Sequence, residues 1–134
     1  MGLIIDTSIL IAAEKKKLTL DELLDFELNC IASVTLTELL VGLDRANNED
    51  RRIKCLAFIE YVKSLFTVLP FRIEEAYTYA HIIHYLYKSN ITIGTHDMLI
   101  AATAITHGYS LLTLNVKDFK RIPGLEILTV SSKD

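Results

Sequence analysis

Cysteine and proline are nearly missing from this chain, with two of each in 134 residues. Cys30 and Cys55 stand apart from one another and from any CxxC or Cys/His spacing, which removes the grounds for a zinc module or a disulfide framework and suits a reducing cytoplasm. So few prolines, with no repeat and no low-complexity tract, leave no linker. A single domain over residues 1–134, built on one core, is expected. No apolar run reaches the roughly 18 residues of a membrane span. Met1 to Ala13 lacks a basic leader segment, and Asp6 interrupts its apolar stretch. There is no P-loop and no GxGxxG, so nucleotide-cofactor chemistry is not indicated. A net charge of −3 offers no global attraction to nucleic acid, and any such binding would need a local basic stripe or bound cations.

What the chain does have is apolar character: 51% hydrophobic residues and a mean hydropathy of +0.32. That hints at a self-association or partner surface as well as a core. The stretch Gly2 to Ile11, GLIIDTSILI, carries most information. Leu3, Ile4 and Ile5 read as a parallel strand covered on both faces, since such strands are continuous apolar runs. Asp6 then sits at the strand's carboxyl end, where ligand crevices of open α/β sheets lie.

Along the chain, Thr7 to Ala13 reads as a short helix. Thr19 opens TLDE and Thr35 opens TLTE, two capping-box patterns. The first would start a helix running to about Glu27 with Leu20, Leu23, Leu24 and Leu28 on one side; the second, a helix from Leu36 to about Ala46. Cys30 to Ser33 reads as a strand between them. Helical periodicity covers Glu49 to Phe66 and Glu74 to Lys88, the latter with Ala76, Tyr79, Ala80, Ile83, Leu86 and Tyr87 as its apolar face. Thr67 to Leu69 is a brief strand stopped by Pro70. A loop through His96 delivers Asp97 to a helix that Gly108 ends. Ser110 to Leu114 and Leu125 to Val130 are strands, with one turn of helix at Val116 to Phe119. Alternating strands and helices predict an α/β fold, a three-layer α/β/α sandwich around a central, mainly parallel sheet.

Each acid near a strand end has a structural role that would suffice alone. Asp6 can close an Asx-turn, Glu38 can complete the TLTE box, Asp97 can be a helix N-cap, and Asp118 can be a solvated turn residue. Jointly, Asp6, Glu38 and Asp97 each follow a strand or loop and open a helix, which brings them to one edge of a parallel sheet. Converging carboxylates without a neighbouring lysine or arginine call for a cation. All-oxygen ligands suit Mg²⁺ or Mn²⁺, which activate water and offset charge in phosphoryl displacement, so phosphodiester hydrolysis follows.

IIDTSILI around Asp6, TLTELLVGL around Glu38, and IGTHDMLIAATAITHGYSLLTLNVKDFKRIPGLEI from Ile93 to Ile127 resemble the PIN-domain ribonucleases, of the VapC-like toxin type from toxin–antitoxin pairs. The resemblance implies Mg²⁺- or Mn²⁺-dependent cleavage of RNA by a metal-activated water, leaving a 5′-phosphate and a 3′-hydroxyl. It places Asp6, Glu38 and Asp97 at the metal positions. Where many relatives carry a further Asp, this chain has Asn115, with Asp118 three residues on; either completes the site, by a carbonyl oxygen, a held water or added charge. Thr7, Ser8 and Thr113 are positioned to orient water or substrate, or simply to close turns. The implied partners are a cognate antitoxin covering the cleft and a second copy of the chain, as a homodimer or higher assembly, in the cytoplasm.

Lys15 to Lys17, Arg45, Arg51, Arg52, Lys54, Lys117, Lys120 and Arg121 offer a rim for an RNA backbone, or solvated faces. His81 and His84, outside any HExxH, are assigned to packing or surface, His96 to the cleft mouth. Tyr61, Tyr77, Tyr79, Tyr85 and Tyr87 are assigned to core or interface. Two rival functions remain: a non-catalytic binding module on the same fold, and a phosphatase with Asp6 as nucleophile. Against the latter stands Ser8, where such phosphatases place a second Asp.

Overall fold

The structure, a computed structural model, describes residues 1–23 and 27–130. Five strands, β1 (Gly2–Ile5), β2 (Leu28–Ala32), β3 (Thr67–Leu69), β4 (Ser110–Leu112) and β5 (Ile127–Leu128), form one sheet in the order β3-β2-β1-β4-β5. Every pairing is parallel, so the sheet is wholly and not just mainly so. β1 is central and buried at all four residues, as its unbroken apolar run requires. The pleat divides its side chains: Ile4 joins Cys30, Ala32 and Leu111 in a core on one face, while Leu3 and Ile5 join Ile31 and Leu112 in a core on the other.

Helices cover both faces and complete the α/β/α sandwich. α1 (Thr7–Glu14), α2 (Ser33–Asp44) and α3 (Glu49–Leu65) bury Leu10, Leu39 and Val62 on the Leu3 face; α4 (Ile73–Lys88), α5 (Thr95–His107) and the short α6 (Val116–Phe119) bury Leu86, Ala101 and Phe119 on the Ile4 face. Local chemistry sets several ends. Asn48 accepts from Arg51 N at 2.8 Å and caps α3, whose first turn holds Glu49 and Asp50. Gly108 ends α5 in the left-handed region, φ 69°. Gly2 has a steric reason: a Cβ there would lie 2.6 Å from the Tyr109 ring.

Four expectations are corrected. The TLTE segment does not form a capping box, because α2 starts at Ser33 with Ala32 as its N-cap residue and Thr35 is already helical and fully buried. The TLDE segment becomes a single 3₁₀ turn, Leu20–Leu23, and Leu28 opens β2 instead of sharing a helix face with Leu20. The rest of that expected helix, 24–26, and the Glu22 side chain of its box lie outside the described residues. On α4 the covered side is Glu75, Tyr79, Ile82 and Leu86, while Ala76, Ala80, Ile83 and Tyr87 are exposed. The helix has two apolar sides, and α5 selects one. Finally, β4 and β5 stop at Leu112 and Leu128, shorter than their apolar runs.

Candidate active site

β2 and β3 lie on one side of β1 and β4 and β5 on the other, so the chain reverses its direction of winding between β1 and β4. Ligand crevices of such sheets open at that point, beyond the carboxyl ends of the strands. Asp6 follows β1 there, with its N–H on Leu112 O at 2.9 Å. It occupies the N-cap position of α1 but makes no side-chain cap. Instead one carboxylate oxygen, Oδ2, accepts the Ser8 hydroxyl at 2.6 Å and the Thr113 hydroxyl at 2.7 Å. Both hydroxyls are fixed in turn by backbone donors, Leu114 N–H on Ser8 Oγ at 3.1 Å and Asn115 N–H on Thr113 Oγ1 at 2.9 Å. Asp6 is thus held, 3% exposed, by a chain of hydrogens that all point toward its charge.

Glu38 lies in the second turn of α2, past any capping position. Thr7 Oγ1 is 2.8 Å from Glu38 Oε1 and 3.1 Å from Thr35 Oγ1. A carboxylate only accepts, so the single Thr7 proton goes to Glu38 and the buried Thr35 hydroxyl supplies the hydrogen of the other contact. His96 Nδ1 stands 3.4 Å from Glu38 Oε2. The hydroxyls of Thr7, Ser8 and Thr113 are therefore directed at carboxylates, and the orienting groups that the sequence reading did not single out are Thr35 and Arg121. Thr35 had no distinct signal; Arg121 had one, its i,i+3 spacing from Asp118.

Asp97 is the third residue of α5, whose N-cap residue is Gly94, so it is not the N-cap either. Its Oδ2 accepts from Asn115 Nδ2 at 3.2 Å, and the same amide nitrogen donates to Asp118 Oδ2 at 3.2 Å. Arg121 Nη2 completes this side, 2.9 Å from Asp118 Oδ1. Asp118 is half-buried and paired, not a solvated turn residue. The Asp97 carboxyl is pushed up to about 6, first by burial and then by the charges of Asp6, Asp118 and Glu38, with His96 pulling it down. Asp97 thus feels all three other acids. Among the described residues, however, no three acidic, histidine or cysteine side chains stand close enough to enclose an ion as they are.

Other expectations sort cleanly. His81 and His84 are exposed on α4. Tyr79 packs edge-on to Phe71 at 6.2 Å. Tyr61, Tyr77, Tyr85 and Tyr87 are 42%, 70%, 43% and 85% exposed, so they are not core residues. Of the basic residues expected at the rim, Arg121 is tied to Asp118, and the others are exposed. No helix among the described residues is long and apolar enough to cross a membrane.

The pattern of the PIN domain matches residues 3–125. Over its full length, and that of the relative, the chain is 73% identical to ribonuclease VapC1 of Rickettsia felis. The chain belongs to the PIN-domain family, among the VapC ribonucleases. This PIN domain is also 33% identical to the tRNA(fMet)-specific endonuclease VapC of Salmonella typhimurium over 98 residues, 73% of this chain and 72% of that one. The crystal structure of VapBC2 from Rickettsia felis bound to a DNA fragment from their promoter is similar in fold, with a TM-score of 0.88 and 26% identity, over 98% of this chain and 100% of that one.

Proposed function

We propose that this single PIN domain, residues 1–134, is a cytoplasmic endoribonuclease toxin that cuts RNA with a divalent ion, Mg²⁺ or Mn²⁺, held by Asp6, Glu38 and Asp97. The observation that carries the reading is that Asp97 feels the charges of Asp6 and Glu38 across the switch point of the sheet, and that none of the three is spent on capping a helix. The donor set fits such an ion: it is all oxygen, and the ion pairs on the acids are confined to His96 with Glu38 and Arg121 with Asp118 among the described residues. When bound, the ion would activate water and offset the charge of the phosphodiester undergoing displacement. The chain's own side chains would do the positioning. Ser8 and Thr113 fix Asp6, Thr7 fixes Glu38, and Asn115 braces Asp97 against Asp118. Lys117 and Lys120, exposed beside Asp118, would meet RNA phosphates.

The Salmonella relative makes tRNA the first substrate class to try. VapBC structures make an antitoxin the first partner. A cavity of about 330 Å³ adjoins the site, walled by Ile11, Leu39, Phe58 and Ile59 with Glu14 and Glu38 among its lining residues, which suits a covering segment carrying an apolar side chain and a positive charge. A second copy would cover the exposed side of α4, where Ile73, Tyr77 and Tyr87 are 72%, 70% and 85% exposed.

The decisive experiment is cleavage of a tRNA pool by the antitoxin-free protein in Mn²⁺. Wild type is expected to cut and to stop when EDTA is added, and Asp97→Asn to be slower by about 10³-fold or more. Equal cleavage by the two proteins would sink the assignment, and intact RNA with wild type would favour a binding module. A phospho-aspartate trapped at Asp6 would revive a phosphatase, though Asp6 is 3% exposed and doubly bonded at Oδ2. For the second copy, Tyr77→Glu should shift the elution of the protein to a smaller species, and an unchanged elution volume would remove α4 from the interface.

A further inference from the structure

Nucleases that use two metal ions hold them roughly 3.5–4 Å apart between carboxylates, so that one ion serves the attacking oxygen and the other the leaving oxygen. In this chain Asp97 and Asp118 would flank the second position. That position is already furnished. Asn115 Nδ2 stands between the two acids, 3.2 Å from Asp97 Oδ2 and 3.2 Å from Asp118 Oδ2. Carboxylate oxygens accept and do not donate, so both neighbours turn the amide's NH₂ end inward and its carbonyl oxygen away. The opposite oxygen of Asp118 receives Arg121 Nη2 at 2.9 Å, and that nitrogen also donates to Thr92 O at 3.2 Å, in the segment leading to α5. A guanidinium keeps its charge at any working pH, so Asp118 enters the site already paired with a cation of the protein's own.

We infer that Asn115, Asp118 and Arg121 form a built-in substitute for a second cation, and that the site therefore takes a single divalent ion, shared by Asp6, Glu38 and Asp97. The inference rests on the metal-dependent reading above. A cation entering between Asp97 and Asp118 would face two amide hydrogens and a fixed positive charge in place of free oxygen. Asp118, acidic by sequence and placed at the cleft, is by this account a positioning residue: it anchors the amide that braces Asp97. Asn115 then decides the number of ions, because an aspartate of the same size would present an oxygen where the NH₂ group now stands.

The test is titration of the full chain with Mn²⁺ by calorimetry, with electron paramagnetic resonance of the same samples to detect magnetic coupling between neighbouring ions. Wild type should bind about one equivalent with an uncoupled spectrum, while Asn115→Asp should bind about two and show coupling. Arg121→Gln, which frees Asp118, should admit a second, weaker equivalent. Circular dichroism establishes that each variant is folded before it is titrated. Two coupled ions in wild type would overturn the inference and leave the nuclease reading standing. One ion in folded Asn115→Asp would overturn the role given to Asn115. No binding by wild type would overturn the metal-dependent reading itself.

Discussion

Asp6 and Asp97 face the same crevice, yet the chain surrounds them with different donors. Asp6 takes two hydroxyl hydrogens on one oxygen, at 2.6 and 2.7 Å, and each hydroxyl is itself held by a backbone N–H. Asp97 takes one amide hydrogen at the longer distance of 3.2 Å, from a nitrogen that also serves a rival acid, and its carboxyl is pushed up to about 6. The difference teaches where the repulsion of the cluster is stored. One wall of the cleft holds its anion with protein donors supplied by α1 and the end of β4. The other wall leaves Asp97 to absorb the repulsion of the neighbouring acids.

Asp97→Asn breaks the comparison most sharply, because it should pull activity and stability in opposite directions. While cleavage collapses, the metal-free protein should gain roughly 1 kcal/mol, seen as a thermal midpoint raised by about 3–5 °C. A lowered midpoint would mean that Asp97 is not the strained member. The pH dependence follows from the same residue. Its folded value of about 6 lies above the ordinary 3.8 of a free aspartate, so the folded protein binds this proton more tightly than the unfolded chain. Asp97 therefore costs stability in full above about 6, and the cost fades as pH falls toward 4. Metal-free wild type should accordingly gain stability relative to Asp97→Asn between neutral and mildly acidic pH; parallel profiles for the two proteins would remove Asp97 as the cause.

Thr113→Val tests the other wall and should have a smaller effect on activity. It removes a hydrogen from Asp6 and the acceptor of Asn115 N–H, at a site that is fully buried. A loss of about 1–3 kcal/mol in urea unfolding is expected, with cleavage slowed about 10–100-fold and both recovered in Thr113→Ser. If Thr113→Val is as active as wild type, the tight hold on Asp6 does not matter to catalysis.

The legible parts of this fold were those fixed by local chemistry. The apolar run before Asp6 announced the central strand, the helical periodicity from Glu49 to Phe66 announced α3, and Gly108 marked the end of α5. What stayed hidden depended on partners far along the chain. Thr35 looked like a cap because nothing in its neighbourhood reveals that Thr7, 28 residues earlier, receives its hydroxyl. Helix α4 has two sides of similar apolarity, and only the position of α5 determines which one is buried. The acids were legible as a set, whereas the bridging amide of Asn115 was not: the sequence supplies the residue but not the direction in which its NH₂ group points.

The parallel pairing of β1 with β4 also has a consequence for timing. Asp6 acquires the Thr113 hydroxyl only across a separation of 107 residues, and Leu3 to Ile5 meet β4 only once Ser110 to Leu112 are available. A chain growing from its amino end has made Asp6 long before the Thr113 segment that braces it exists, and contacts between distant segments form slowly. A nascent chain halted ahead of Ser110 would carry unassembled acids and no cutting site. For a protein whose activity endangers the cell that makes it, synthesis itself is a period of safety, and it ends only when β4 joins the sheet.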